Sequence, residues 1–466
     1  MRALKTTESC YCLYGFAVLL ALIILLIVYP GFMSYDSLHA LREARGQVEG
    51  GSYPPYVSYV WRFFDSIWPG PSLMILIQNS LLLLSLAHIL RLSGMGSHWS
   101  SYIFLILFAA CAPLLGSMVV AWKDVAVGSC FIVVVSIIMQ MQQTRDGLKK
   151  NSLFLIGCFF LFSGMAYRFN AASGALPLFF VLYWVLFGDQ LAYANIKKKI
   201  THITYGLTIF AMLFSLVHVM NTYRLPSFEP FKPNVGFAVI ASYDLIGISK
   251  FEGQLVFKES LKDQELIPSP KLLNDIYEPK HLNLTMQKYT QMDPDGRKAI
   301  FNFKEGISVF DLWIDSVKNY PLSYFAHRIE IAKNLAGFNK GPQFYPTHYH
   351  VDPNEYEITL IPNELNKALV EYVIYGVDEL KIRPWTIYFM MILLVPFFIY
   401  FSSNKLLVIS LSASSILYFI PMIFLLPAAD LRYNFWSLVS AIVCIIIGLV
   451  NLPFIQKYVE RRNAKI

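Results

Sequence analysis

Long apolar runs constrain this chain more than any other feature of its sequence. A run of about 18 or more apolar residues is typical of a helix that crosses a bilayer. Ten runs of roughly this length follow one another, at 12–29, 72–90, 101–121, 125–141, 152–168, 171–187, 203–220, 386–402, 406–426 and 434–453. With 56% hydrophobic and 15% charged residues, a water-soluble globule would expose too much apolar surface. The sequence predicts an all-α polytopic membrane protein with about ten transmembrane helices.

Basic residues in the segments between these runs alternate from rich to poor. Cytoplasmic loops of membrane proteins collect Lys and Arg. The richer segments are those that contain Arg2 and Lys5, Arg91, Arg145 with Lys149 and Lys150, residues 197–199, Lys405, and the tail from Lys457 to Lys465. This alternation predicts cytoplasmic termini and accounts for the net charge of +7 without a nucleic-acid partner. The first run resembles a signal peptide but lacks a small-residue cleavage site, so we expect an uncleaved span.

Three regions follow from this topology. Residues 1–220 form an N-terminal membrane domain with seven spans and a long first outer loop at 30–71. Residues 221–384 have soluble composition and are long enough to bury a core, so they predict a mainly helical extracytoplasmic domain. None of the six cysteines lies there, which predicts a domain without disulfides. Residues 385–466 supply three further spans and a cytoplasmic tail.

Both outer segments contain helix signals. Ser34 or Asp36 is suited to cap a helix that ends at Gly46. Aromatic and apolar residues recur at helical spacing from Tyr56 to Ile67, as in a helix that lies in the headgroup layer. Further helices are predicted from Pro321 onward and over 362–376.

Charged residues gather where the predicted spans meet the outer surface. They are Asp36, Arg62, Asp65, Lys123, Asp124, Arg168, Asp430 and Arg432. Charges at this depth are costly unless they pair or bind something, and grouped Lys and Arg suit a lipid phosphate. Simpler roles stay open: a helix cap, a surface pair of Arg62 with Asp65, anchoring of span ends, and pairing of Asp430 with Arg432.

The first outer loop carries a family resemblance. The stretch YPGFMSYDSLHALREARG, followed by YPPYVSYVWRFFDSIWPGPSLMILIQ, resembles the first outer loop of bacterial membrane glycosyltransferases of the GT-C superfamily, which use polyprenyl-phosphate-linked sugars. Asp36 matches the family's acidic residue after the first span. Tyr53-Pro54-Pro55 matches its His-Pro-Pro element, with Tyr where His is commoner.

Shorter motifs extend the resemblance along the chain. They are WKD at 122–124, RFN at 168–170, SYDLIGIS around Asp244, the stretch from Trp313 through NYP to Arg328, and DLRY at 430–433. The resemblance implies an inverting enzyme in which Asp36 is the general base. Lys123, Arg168 and Arg432 would bind the donor phosphate. It leaves Tyr53, Arg62, Asp124, Asp244, Arg328 and Asp430 as further site candidates, and a Mg or Mn ion held by Asp36, Asp124 and Asp430 as an open possibility.

His348-Tyr349-His350 is a separate feature. Two histidines at i and i+2 suit a metal on an extended chain, although no third ligand is apparent in the sequence. An aromatic surface that recognises the acceptor and a plain exposed loop are the alternatives.

We therefore expect a glycosyltransferase in the bacterial cytoplasmic membrane with its active site facing outward. Its partners would be a polyprenyl-phosphate sugar, a glycan or glycolipid acceptor and membrane lipid. A flippase of lipid-linked saccharides is the main rival, but such transporters usually show inverted repeats and midplane charges. A non-catalytic scaffold with an external binding domain is the third hypothesis.

Overall fold

The structure is a computed structural model that describes residues 2–47, 54–96, 98–192, 195–222, 233–262, 270–292 and 303–463. The chain packs as two units. Unit 1 comprises Met1–Phe231, Tyr345–Phe419 and Asn434–Ile466, and unit 2 comprises Lys232–Phe344 and Ile420–Tyr433. Residues 345–384, which the sequence prediction placed with the outer domain, therefore pack within unit 1.

All regular secondary structure in the described residues is helical, as predicted. The first ten helices are α1 Arg2–Ile27, α2 Tyr35–Ala44, α3 Pro55–Ile67, α4 Ser72–Leu90, α5 Trp99–Ala109, α6 Ala112–Met118, α7 Lys123–Gln143, α8 Gly147–Tyr167, α9 Ala172–Ala192 and α10 Ile196–Thr222. The later helices are α11 Pro233–Glu252, α12 Pro270–Ile276, α13 Leu282–Met292, α14 Val309–Asn319, α15 Pro321–Ala336, α16 Glu364–Asp378, α17 Pro384–Phe401, α18 Lys405–Leu425, α19 Phe435–Val450 and α20 Pro453–Asn463.

Nine of the ten predicted spans each fall on one helix and 101–121 covers the two helices α5 and α6, but these helices differ in their capacity to cross a membrane. Seven in the described residues are long and apolar enough, or eight if the pair α5 and α6, bent by 70°, is one span. The apolar parts of α1 and α9, Tyr11–Ile27 and Ala172–Gly188, are shorter. The chain thus has the helices of a multi-pass membrane protein, and the count of ten stays a prediction.

Helix α7 lies at the centre of unit 1 and packs closely on α8. Its most apolar window is 89% buried. Gly164 of α8 faces the ring of Phe131 of α7 so closely that a methyl group would not fit there. Small residues permit such close approach of membrane helices. The packing brings the first turn of α7 beside the last turn of α8, where Asp124 and Arg168 lie.

Three distant segments of unit 1 join through backbone hydrogen bonds outside the helices. Phe32 N–H donates to Val119 and its carbonyl accepts from Ala121, at 3.2 Å each. On the other side, Met33 N–H donates to His350 at 3.1 Å and its carbonyl accepts from Asp352 at 2.9 Å. These last two bonds hold residues 345–361, which we call the strap, against the backbone at Met33, which precedes α2.

The strap is also bound to α2 by side chains. Arg42 binds Glu355 with both Nε and Nη2, at 2.7 and 2.8 Å. The Arg45 guanidinium lies 4.2 Å from the centre of the Tyr356 ring. The Arg42 hydrogen bond lowers the pKa of the exposed Glu355 carboxyl to about 2. The strap and α2 therefore form one packed element.

Unit 2 is built around α11, which packs on α14 and α15. Gly247 of α11 lies directly against the imidazole of His327 on α15. Pro321 occupies the first turn of α15, where it needs no N–H partner, and Gly337 ends the helix at φ 83°. This helix starts at the residue that the sequence analysis predicted.

Candidate functional site

Asp36 lies in the first turn of α2 in unit 1. The N-cap of this helix is Ser34, whose hydroxyl accepts a 2.9 Å hydrogen bond from the indole N–H of Trp122. Ser37 donates to the Ala121 carbonyl at 3.0 Å. Asp36 is therefore not the N-cap, and its half-buried carboxylate sits on a turn anchored to the segment that precedes α7.

The pKa of His39 is shifted by its burial and by the charged groups around this turn. Burial is the main cause that lowers its pKa, and the carboxylates of Glu43 and Asp36 act in the opposite direction. Lys123 and Arg42 lower it further. The Asp36 carboxylate and the Lys123 ammonium thus both act on the pKa of this one imidazole. These two candidates therefore lie in the same local environment. His39 was not among the residues predicted from the sequence, although its i+3 spacing from Asp36 on a predicted helix is a signal for it.

Lys123 and Asp124 begin α7, and their environments differ. Lys123 is half-buried, whereas Asp124 is fully buried and forms an ion pair with Arg168. Nε of Arg168 also donates to Asn170 at 2.8 Å. The structure thus brings the WKD and RFN motifs together. They meet through the ion pair of Asp124 with Arg168, so these two site candidates neutralise each other's charge.

The remaining site candidates of the first loop, Arg62 and Asp65, differ in exposure and in bonding, and Tyr53 is a third candidate. Tyr53 lies outside the described residues. Arg62 is exposed on α3. Asp65 binds Arg45 with two hydrogen bonds of 2.8 Å and accepts the Gly70 N–H at 2.8 Å. Burial raises the pKa of Asp65, but these hydrogen bonds outweigh it and the net shift is downward. Asp65 therefore has Arg45 as its ionic partner.

Asp244 and Arg328 meet in the core of unit 2. The Asp244 carboxylate, fully buried, accepts from Arg328 at 2.7 Å and from the Trp313 indole at 2.8 Å, and lies 3.3 Å from His327. Arg328 also donates to the Leu426 carbonyl at 2.8 Å. Two motifs of the family resemblance, around Asp244 and from Trp313 to Arg328, therefore form one buried network.

Asp430 and Arg432 also pair within unit 2. Both side chains are at most 8% exposed, and Oδ2 of Asp430 accepts from Nε and Nη2 of Arg432 at 3.0 Å each. This is the pairing that the sequence left open as the simpler role of this triplet.

The strap contains a cluster of three side chains of the kind that bind metal ions. The sequence indicated only the two histidines of this cluster. His348, His350 and Asp352 place their ligand atoms within 4.8 Å of one another, and among the described residues this is the group with that geometry. Burial lowers the pKa of His348 to about 4, although Asp352 acts against this shift. Asp352 is the residue that sequence analysis missed, and the i+4 spacing from His348 on a non-helical segment offered no signal for it.

Comparisons with family models, with curated proteins and with solved structures found no match for this chain. Unit 1 offers a carboxylate on an anchored turn, a nearby ammonium and a cluster of two histidines with one carboxylate. Such a set can accept a proton and stabilise an anion.

Proposed function

We propose that this chain is an inverting glycosyltransferase of the GT-C type, in the bacterial cytoplasmic membrane. It would move a sugar from a polyprenyl-phosphate donor to a cell-surface glycan or glycolipid on the outer side. The observation that carries the proposal is the placement of Asp36 on a turn that backbone and side-chain bonds tie to the start of α7, where Lys123 lies.

The reaction assigns each group one task. Asp36 accepts the proton of the acceptor hydroxyl as its oxygen attacks the anomeric carbon of the sugar. The bond from that carbon to the phosphate oxygen breaks, and the polyprenyl phosphate leaves with the bonding electrons. Lys123 stabilises the negative charge on the leaving phosphate. Arg168, which is bound to Asp124, and Arg432, which is bound to Asp430, are the other candidates for this role.

An apolar recess in unit 1 supports a lipid-linked donor. It has a volume of about 210 Å³ and opens between α3, α4, α7 and α8. Tyr56, Phe64, Met74 and Phe160 contribute to its lining, and Tyr56 donates to Ser163 at 2.9 Å. An isoprenoid tail is apolar and flexible, and such a recess would remove part of it from the bulk lipid.

The test is donor turnover by the purified chain in lipid nanodiscs. A panel of synthetic polyprenyl-phosphate sugars is supplied with a mixed glycan acceptor, and release of polyprenyl phosphate is measured. Asp36→Asn should reduce turnover about 100-fold or more, the scale of general-base catalysis, with an unchanged melting temperature. Glu371→Gln is the matched control, since Glu371 is an exposed carboxylate of α16 in the same unit. Equal turnover by Asp36→Asn and wild type would remove Asp36 from the mechanism.

A further inference from the structure

We propose that His348, His350 and Asp352 form a binding site for a divalent transition-metal ion, with zinc as the best fit. This inference does not depend on the proposed transfer reaction. It starts from a side chain that the structure leaves poorly satisfied: His348 is 3% exposed, and its Nε2 makes no well-formed hydrogen bond in the described part of the chain. A buried polar atom that is poorly satisfied in this way costs free energy.

The distances fit a tetrahedral ion. Oδ1 of Asp352 lies 2.8 Å from Nε2 of His350 and 3.2 Å from Nε2 of His348. Zinc bonds of about 2.0–2.2 Å hold neighbouring ligand atoms roughly 3.4 Å apart. Small side-chain adjustments would therefore admit the ion. Two imidazoles with one carboxylate favour zinc over magnesium or calcium, which prefer oxygen ligands.

A second layer of contacts orients His348. Its Nδ1 lies 2.8 Å from the hydroxyl of Tyr345, so Nε2 is left to face Asp352. A hydrogen bond at the far nitrogen is the usual way in which proteins orient a histidine ligand. Tyr345 has φ 52°, a conformation that bulky residues rarely adopt, and its ring packs beside Trp122 with the ring centres 6.2 Å apart. The backbone is strained at the residue that orients the ligand.

The fourth coordination position of the ion would lie on the exposed side of the cluster. His350 is 42% exposed and Asp352 is 25% exposed, whereas His348 is buried. The open side therefore lies beside His350 and would take a water or another oxygen ligand. Because Met33 is hydrogen-bonded to both His350 and Asp352, the ion would sit beside the backbone that leads into α2.

Metal content of the full-length protein tests the proposal without any donor. The protein is purified with a tag that lacks histidine, and zinc is measured by mass spectrometry after equilibration with a zinc buffer. We expect one tightly bound zinc per chain, which is lost in His350→Ala and in Asp352→Asn. His218→Ala, an exposed histidine of α10, should retain it. Cobalt in place of zinc should give the intense visible absorption of a tetrahedral site, and the same two variants should abolish it.

The Tyr345→Phe variant separates metal binding from folding. It keeps the ring but removes the hydrogen bond to His348, so zinc affinity should fall about 10-fold or more at an unchanged melting temperature. The proposal is overturned if the wild type holds no stoichiometric zinc, if His350→Ala and Asp352→Asn both bind it as the wild type does, or if His218→Ala loses it equally.

Discussion

The carboxylate of Asp124 and the guanidinium of Arg168 form an ion pair in which neither side chain is more than 8% exposed. The pair joins the start of α7 to the end of α8. A buried charge that loses its partner is destabilising by roughly 3–5 kcal/mol, because the remaining charge stays desolvated.

Arg168→Ala should therefore lower thermal stability strongly, and Asp124→Asn in the same chain should restore part of it. Thermal unfolding of both single variants and of the double variant in nanodiscs measures this coupling. Additive losses in the double variant would mean that the pair contributes little. If Arg168 instead binds the donor phosphate directly, the double variant would regain stability and still bind donor weakly.

Asp244 is predicted to be a structural residue of unit 2. Asp244→Asn leaves Arg328 buried without its carboxylate, so we expect a loss of roughly 3–5 kcal/mol. Asp315→Asn, an exposed carboxylate on α14, is the control and should stay within about 0.5 kcal/mol of the wild type. Differential scanning fluorimetry of both variants decides the matter, and a folded Asp244→Asn with normal stability but no turnover would assign Asp244 to catalysis.

His327 should make unit 2 sensitive to acid. Burial lowers its pKa below the ordinary 6.5, while the hydrogen bond and charge of Asp244 act against this. Arg328 and Lys250 add to the lowering, and Tyr277 binds Nδ1. The unfolded chain therefore takes up a proton below pH 6.5 that the folded chain resists, and stability falls as the pH drops. Melting temperatures between pH 7.5 and 5.5 should show this slope, and His327→Gln should flatten it. An unchanged slope in the variant would contradict the assignment.

Gly247 should tolerate no side chain. A methyl group there would overlap the His327 ring, and overpacking of a core typically costs 1–3 kcal/mol. Gly247→Ala should lower the melting temperature, whereas Gly341→Ala, which meets open space, should not. Limited proteolysis of both variants gives a second measure. Equal stability of the two would show that α11 and α15 separate at little cost.

The predicted orientation in the membrane can be tested separately from the chemistry. Reporter fusions at Lys198 and after Lys465 should be cytoplasmic, because their segments are rich in basic residues. A fusion near Lys280 should be external. A cytoplasmic reporter at Lys280 would contradict the outward-facing active site.

Local patterns predicted much of this fold. The apolar runs coincide with helices, and α3 and α15 begin within one residue of their predicted starts because proline and amphipathic spacing act within one or two turns. The pairing of Asp430 with Arg432 was also predictable, since only Leu431 lies between them in the sequence.

Long-range contacts were not predictable in the same way. Asp65 pairs with Arg45, which precedes it by 20 residues, and not with the nearby Arg62. Arg168 reaches Asp124 because α7 and α8 pack closely near Gly164. Asp352 becomes a third ligand only when the strap turns beside Met33. No local signal encodes these contacts, because they depend on which surfaces meet after packing.

The bonding of Met33 to the strap also bears on how the protein is made. Its partners, His350 and Asp352, follow it by roughly 300 residues. At about 5–20 residues per second, a ribosome needs on the order of 15–60 seconds to bridge that gap. During this interval Met33 has been synthesised but its hydrogen-bond partners have not. These hydrogen bonds can form only after most of the chain has been synthesised, so the backbone that leads into the turn with Asp36 reaches its final bonding late in biosynthesis.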